Sequence, residues 1–304
     1  MPKAPIALFV YKRPWHTQQA LESLAANMGA SESELFIFCD GPKRIEDAKA
    51  VEEVRRLVRS RQWCGKVNII EREKNLGLAN SIISGVTELC NQCGRVIVLE
   101  DDLLTSRYFL EYMNMALERY ENEEHVMQIS GHMFPVEIKA ETDAIFLPFI
   151  TSWGWATWKR AWVAFDKDMS GFEALSKDKA FRKAFDLDGS YPYFEMLESH
   201  SAGKIDSWAI RWYWSVFLKG GLTLYPAKTL ISNIGFDGSG THCTSFEQTN
   251  SDKIEDFNPL TFPSQCEVSE EIYFTLKDLF RKNRSFTNRV KGLIRNYFKK
   301  TDNV

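Results

Sequence analysis

Several features that would place this chain in a common class are missing from its sequence. No apolar run approaches the roughly 20 residues of a membrane-spanning helix, and no secretory signal precedes the first apolar segment. The net charge is only −3 at pH 7, which gives no indication of a nucleic-acid partner. Neither a repeat nor a low-complexity linker is found in the 304 residues. The sequence therefore predicts a globular protein with a sizeable core.

Cysteine and glycine motifs are also missing. The six cysteines are scattered, and the single C-x-x-C at Cys90 and Cys93 lacks the second pair that a zinc site needs. Because the spacing of the cysteines suggests no disulfide framework, we expect a reducing, cytoplasmic environment. No G-x-G-x-x-G follows the first strand and no G-x-x-x-x-G-K-[ST] occurs, which argues against a dinucleotide site and against a P-loop.

The first hundred residues contain a regular alternation of strands and helices. Apolar patterns predict strands over 6–10, 35–39, 67–71 and 95–99, and helices between them over 15–27, 45–61 and 78–91. This order predicts an α/β fold with a parallel sheet and right-handed crossovers. After Pro148 the alternation stops, and seven of the nine tryptophans fall within 153–162 and 208–214. We expect this half to build a pocket rather than to extend the sheet.

An acidic triplet, Glu100–Asp102, follows the buried strand Val96–Leu99 directly. Ligands bind at this edge of open α/β sheets. Three neighbouring carboxylates repel one another, and a divalent cation would relieve that repulsion. Because Mg²⁺ takes one or two carboxylates together with phosphate oxygens, the triplet predicts a metal–diphosphate site. The alternative is a solvated helix start, which acids also favour.

The ends of the other early strands carry polar residues that would meet at the same edge of the sheet. Each of them is common in caps and turns, but together they favour a nucleotide site. They are Tyr11 and Arg13 after the first strand, Asp40 after the second, and Asn75 and Gly77 after the third.

Several segments resemble GT-A glycosyltransferases, in particular bacterial family 2 and the N-acetylglucosaminyltransferase I type. The matching segments, which lie between residues 6 and about 245, are Val96–Leu103, Asn75–Ala79, Ile150–Trp158 and Ile205–Trp212. The resemblance implies a GT-A (Rossmann-like), mainly parallel sheet flanked by helices, with an irregular Trp-rich acceptor half. The motif here is Glu-Asp-Asp, whereas family 2 enzymes usually have Asp-x-Asp.

By this resemblance Asp102 is the direct metal ligand, and Glu100 and Asp101 face the ribose or the waters of the metal. The cation would be Mn²⁺ or Mg²⁺, the donor a nucleotide-sugar (UDP-sugar favoured) and the acceptor a saccharide or lipid-linked saccharide. Asp206 would be the catalytic base of an inverting transfer, although an Asp before Ser-Trp-Ala-Ile also suits a helix N-cap. If Asp206 is not the base, Asp237 and Glu195 are the next candidates.

Aromatic and histidine side chains complete the predicted site. We expect an acceptor surface at Trp153, Gly154, Trp155 and Trp208, although aromatic clusters more often form a core. His242 is predicted to join the metal or the diphosphate, or else is an exposed loop histidine. His132 is a weaker pocket candidate, and His16 is expected to be structural.

Three regions are expected: a nucleotide-sugar-binding half (1–104), an acceptor and catalytic half of the same domain (105–265), and a basic helical tail (266–304). Residues 281–300 combine eight Lys or Arg with apolar residues at helical spacing. This pattern predicts an amphipathic helix on the inner face of the membrane, or one docked on the domain. The alternatives to a glycosyltransferase are a sugar-1-phosphate nucleotidyltransferase, whose Gly-rich loop is missing after the first strand, and a non-catalytic nucleotide-sugar or glycan-binding protein.

Overall fold

The structure, a computed structural model, describes residues 2–237 and 254–284. The chain divides into two compact units, one comprising Met1–Lys167 and Ser207–Val268, the other Asp168–Asp206 and Ser269–Val304. Within the described residues, we find no helix both long and apolar enough to cross a membrane.

All the strands named here belong to the first unit. In chain order they are β1 (Ile6–Val10), β2 (Glu34–Cys39), β3 (Lys66–Glu71), β4 (Arg95–Glu100), β5 (Leu103–Thr105), β6 (Val126–Ser130), β7 (Ala144–Leu147), β8 (Trp155–Trp158), β9 (Leu222–Pro226) and β10 (Ile231–Asn233).

The helices are shared between the two units. They are α1 (Pro14–Ala25), α2 (Ala48–Val58), α3 (Leu78–Cys93), α4 (Phe109–Arg119), α5 (Lys159–Trp162), α6 (Phe172–Lys177), α7 (Lys179–Phe185), α8 (Tyr193–Ser201), α9 (Trp208–Leu218) and α10 over 270–284. Helices α6–α8 and α10 belong to the second unit.

The predicted βα alternation is confirmed. Strands β1–β4 and helices α1–α3 each lie within three residues of the predicted boundaries. All five residues of β1 are buried, as expected for a parallel strand that is covered on both faces. Apolar residues of α1, α2 and α4 pack in one core cluster with Ile6, Leu8 and Leu99. The α/β fold class follows directly from this part of the chain.

The main sheet has eight strands in the order β3-β2-β1-β4-β8-β6-β9-β7. Strands β1–β4 are parallel, but β8 runs antiparallel to β4 and to β6, so the sheet is mixed. The expectation that the second half would not extend the sheet is wrong. Trp155–Trp158, which was read as part of an irregular Trp-rich segment, is a buried strand beside β4.

The strand order places a topological switch point between β1 and β4. From β1 the chain moves outward to β2 and β3, then returns to form β4 on the other side of β1. Loops leaving β1 and β4 therefore diverge, and a crevice opens between them at their carboxyl ends. In a second sheet, β10 pairs antiparallel with β5, the strand that directly follows β4 in the chain. The loops after β1 and β4 and the segment after β10 thus converge on the edge of the main sheet where β1 and β4 end.

Candidate functional site

Arg13 and the acidic triplet meet at the switch point. Arg13 follows β1, and Glu100–Asp102 end β4, the strand next to it. The Nη2 of Arg13 donates to Oδ2 of Asp102 at 2.8 Å and to Oδ1 of Asp101. The sequence predicted that these residues share an edge, and the structure brings them into direct contact.

Burial and mutual repulsion shift the titration of this group. Asp101 and Asp102 are 5% and 8% exposed. Burial raises the pKa of Asp101 in spite of Arg13, and burial with its two acidic neighbours raises the pKa of Glu100 to about 8. The two aspartates raise the pKa of Arg13 although burial opposes them. Because burial disfavours the ionised forms of these acids, a cation next to their oxygens would stabilise them.

The segment after β10 forms a wall beside Asp102. Ile234 N donates to the carbonyl of Asp102 at 2.9 Å, and Gly235 N donates to Oδ1 of Asn233 at 2.7 Å. A Cβ at Gly235 would collide with Oδ2 of Asp102, so only glycine can pack against this oxygen. Sequence reasoning missed Gly235, because nothing in the sequence reveals that β10 pairs with β5.

His16 and Asp237 form a second pair next to the triplet. Nε2 of the buried His16 lies 3.1 Å from Oδ2 of Asp237, and a protonated His16 would lower the pKa of Asp101. His16 was expected to be structural, and Asp237 was only a reserve candidate for the base. The structure places both in the wall of the same crevice.

Three of the predicted nucleotide ligands fix the neighbouring loops. The carboxylate of Asp40 accepts hydrogen bonds from the backbone N–H groups of Gly41, Leu76 and Gly77 at 2.9–3.1 Å. Nδ2 of Asn75 donates to the carbonyl of Gly41 at 2.8 Å. These bonds tie the loop after β2 to the loop after β3 and use most of the accepting capacity of Asp40. Contact with a nucleotide stays a prediction for Asp40, Asn75 and Gly77.

Tyr11 is held by an aspartate that the sequence analysis overlooked. Its hydroxyl donates to Oδ2 of Asp47 at 3.0 Å and accepts from Lys43 N at 2.8 Å, while Lys12 Nζ donates to Oδ1 of Asp47 at 2.7 Å. The hydrogen bond from Lys12 lowers the pKa of Asp47. Asp47 thereby fixes the loop that carries Arg13.

Trp153 and Gly154 reach the same edge from the opposite direction. Because β8 is antiparallel to β4, with Trp155 opposite Val98, the residues just before β8 lie where β4 ends. The partly buried Trp153 ring lies 4.5 Å from the His132 ring and 5.5 Å from the Phe236 ring, between centroids. Gly154 has a φ of +56°, which favours glycine. An aromatic wall therefore stands beside the acidic triplet.

Trp155 and Trp208 belong to the aromatic core. Their rings stack at 5.1 Å, and their exposures are 1% and 4%. Trp162 and Trp212 pack around them, with Nε1 of Trp212 donating to Oε1 of Gln128 at 2.7 Å. Neither ring has a face open to a sugar, so the predicted acceptor contact is not available in this arrangement. The sequence could not separate these rings from Trp153, because the presence of a tryptophan does not reveal whether its ring is buried.

Asp206 is exposed and immediately precedes Ser207. The N-cap of α9 is Ser207, whose Oγ accepts from Ile210 N at 3.4 Å. The alternative reading of Asp206 as the N-cap is therefore wrong, while its role as a base stays a prediction. Glu195, the other reserve candidate, pairs with Arg284 at 3.2 Å within the second unit.

The carboxylate oxygens of Glu100–Asp102 suit a hard divalent cation. Within residues 2–237 and 254–284, no group of three His, Cys, Asp or Glu side chains is arranged to hold a metal. Phosphate oxygens and water would therefore have to supply the remaining ligands. His242, the second predicted ligand, lies outside the described residues, as does most of the basic tail 281–300.

Comparisons with known proteins identify no family. No protein-family model and no curated protein matches the chain. Among solved structures, mouse xyloside xylosyltransferase 1 in its apo form is 13% identical, with a TM-score of 0.34 over 70% of this chain and 81% of that one. A 1–349 fragment of S. aureus TarS is 12% identical, with a TM-score of 0.37 over 75% of this chain and 59% of that one. Similarity at this level establishes neither a family nor an activity.

Proposed function

We propose that the chain is an inverting, metal-dependent glycosyltransferase of the GT-A type, which moves a sugar from a nucleotide-sugar to an acceptor hydroxyl. One observation carries the proposal. The buried carboxylates of Asp101 and Asp102, both bonded to Arg13, lie with Glu100 at the switch point between β1 and β4. This is the edge at which α/β sheets bind nucleotides.

On the donor side, the charged residues would bind the cation and the phosphates. Asp102 would hold Mn²⁺ or Mg²⁺, with Glu100 and Asp101 facing the ribose or the metal-bound waters. When bound, the cation neutralises the charge that develops on the leaving diphosphate. Arg13 would donate to the phosphate oxygens, as guanidinium groups do.

The fixed loops around Asp40, Asn75 and Gly77 would form the wall against the base and ribose. Tyr11 would contribute to the same wall from the loop after β1. We infer a UDP-sugar as donor from the sequence resemblance.

On the acceptor side, Trp153 offers the partly exposed ring at the edge, and Gly154 lets the backbone approach closely. Asp206 would take the proton from the acceptor hydroxyl as its oxygen attacks the anomeric carbon. Attack from the face opposite the diphosphate inverts that carbon. The acceptor would be a glycan or a lipid-linked saccharide. A peripheral location on the inner membrane face rests on the sequence of 281–300 alone.

The direct test of this proposal is Asp102→Asn. It removes the charge that would hold the cation but retains the shape of the side chain. We expect the affinity for UDP in the presence of Mn²⁺ to fall by more than about tenfold, and release of UDP from UDP-sugars to be lost. Titration calorimetry and an assay for released UDP measure the two effects. Asp256→Asn removes one charge at an exposed position and should match the wild type.

Three results would contradict the proposal or replace it. Unchanged Mn²⁺-dependent UDP affinity in a folded Asp102→Asn variant would remove Asp102 from the metal site. Tight binding of nucleotide-sugars without any transfer or hydrolysis would favour the non-catalytic binding protein. Formation of a nucleotide-sugar from a sugar-1-phosphate and a nucleoside triphosphate would favour the nucleotidyltransferase.

A further inference from the structure

We propose that Arg13 is a built-in counter-ion of the acidic triplet and competes with a divalent cation for Asp102. A metal ion alone would then bind weakly, and a diphosphate would strengthen its binding by taking over the guanidinium. The inference rests on the proposed metal–nucleotide site and adds the reason why the two ligands would bind cooperatively.

The competition follows from a shared atom. Oδ2 of Asp102 accepts the hydrogen bond from Arg13 Nη2 at 2.8 Å. A cation that binds this oxygen would lie next to the guanidinium, and like charges at that separation repel strongly in a buried site. Tight metal binding therefore requires Arg13 to leave Asp102.

A diphosphate would provide the guanidinium of Arg13 with an alternative hydrogen-bond acceptor. Nη1 of Arg13 is buried and has no hydrogen-bond partner among the described residues. A buried N–H without a partner is unfavourable, and a phosphate oxygen would satisfy it through a charge-assisted hydrogen bond.

The backbone around Arg13 is fixed, so the side chain is the moving part. The carbonyl of Arg13 accepts from both Thr17 N and Thr17 Oγ1 at 2.9 Å. The two preceding side chains, Tyr11 and Lys12, are bound to Asp47. Exchange between carboxylate and phosphate therefore needs a change of rotamer and no movement of the loop.

Coupling of this kind is reciprocal. If UDP strengthens Mn²⁺ binding by a given factor, Mn²⁺ must strengthen UDP binding by the same factor. The arrangement would keep the free protein from loading metal without its nucleotide. Loss of the positive charge at position 13 should remove the competitor, so that the metal alone binds well and the coupling shrinks.

The test is a titration with Mn²⁺, followed by electron paramagnetic resonance, with and without UDP and with the Mn²⁺–UDP complex in solution accounted for. In the wild type, we expect UDP to raise Mn²⁺ affinity by about tenfold or more. Arg13→Gln should bind Mn²⁺ alone about tenfold more tightly than the wild type and show weaker coupling than the wild type, the remainder coming from phosphate oxygens that bind the metal. Arg56→Gln, which removes an exposed charge on α2, should behave as the wild type does.

A folded Arg13→Gln variant whose Mn²⁺ affinity is unchanged or lower overturns the inference. Circular dichroism checks folding. If that variant does not fold, the wild type decides, because Mn²⁺ binding that is equal with and without UDP contradicts the coupling. Absence of Mn²⁺ binding in every sample overturns the inference and removes the metal from the proposed function. Because the readout is metal binding, failure to transfer a sugar leaves it unaffected, and the two proposals fail separately.

Discussion

At the scale of single residues, burial keeps His132 uncharged. The side chain is 5% exposed, and its ring lies against Phe134 and Trp153. Thr229 Oγ1 lies 3.4 Å from Nδ1. Burial disfavours the imidazolium and lowers the pKa of His132 to about 3. The aromatic wall beside the acidic triplet therefore carries no positive charge at neutral pH.

This depressed pKa predicts a loss of stability in acid. An unfolded histidine has a pKa of about 6.5. Between that value and the native one the unfolded chain binds more protons, so the unfolding free energy falls as pH falls. We expect the wild type to lose about 1–2 kcal/mol more than His132→Gln between pH 6.5 and 5. Urea unfolding at several pH values measures it, with the exposed His125→Gln as control. Parallel pH profiles of wild type and His132→Gln would contradict the assignment.

Most residues of the crevice could be selected from sequence, but their partners could not. Arg13 and the triplet were identified because the carboxyl ends of parallel strands always meet at one edge. Asp47 and Gly235 were missed as site residues, and Asp237 was named only as a reserve candidate for the base, because their positions depend on loop geometry and on the pairing of β5 with β10. Long-range antiparallel pairing leaves no local signal in a sequence.

At the scale of elements, the start of α9 places the helix cap and the proposed base on neighbouring residues. Ser207 caps the helix, and the exposed Asp206 stands one residue outside it. The two neighbours can therefore be tested against each other. One substitution should affect only turnover and the other only stability.

We expect Asp206→Asn to lower turnover by about 10²–10⁴, the usual contribution of a positioned base. Its unfolding free energy should change by less than about 0.5 kcal/mol, because the side chain is exposed and does not cap α9. Ser207→Ala should cost about 1 kcal/mol of stability and retain turnover in the folded fraction. Steady-state kinetics and chemical denaturation distinguish them. Full turnover in a folded Asp206→Asn variant would remove the base assignment.

Prediction of the elements succeeded where periodicity is local and failed where strands are short. The boundaries of β1–β4 follow from apolar runs between helical patterns. Strand β8 has only four residues, Trp-Ala-Thr-Trp, and is buried on both faces. Such a segment has no polar alternation that would distinguish it from an aromatic loop. Its place beside β4 is fixed by pairing with distant residues.

At the scale of the whole molecule, the chain builds two units, and the second contains a buried lysine. Lys277 is 4% exposed and pairs with Oδ2 of Asp188 at 2.7 Å. Its Nζ lies 4.3 Å and 4.2 Å from the ring centroids of Tyr273 and Phe274. The hydrogen bond from Lys277 lowers the pKa of Asp188. These contacts join α10 to the turn after α7.

Lys277→Ala should therefore destabilise the second unit. The change removes a packed aliphatic stem and an ion pair, but Asp188 is half exposed and can be solvated by water, so we expect about 1–2 kcal/mol. In a calorimetric scan we expect two transitions, of which one moves to lower temperature and the other does not. Lys282→Ala, at an exposed position of α10, should move neither. A single transition that shifts as a whole would contradict independent unfolding.

The pairing of β5 with β10 also has a kinetic consequence. It joins Leu103, just after the acidic triplet, to Asn233, which lies beyond β6–β9 in the chain. Closing so long a loop is slow, whereas β2 pairs with β1 and β3, which are much closer to it in the chain. Gly235 therefore reaches Asp102 among the last contacts to form. On refolding, the contact between Gly235 and Asp102 should return with this late pairing, after the helices have already formed.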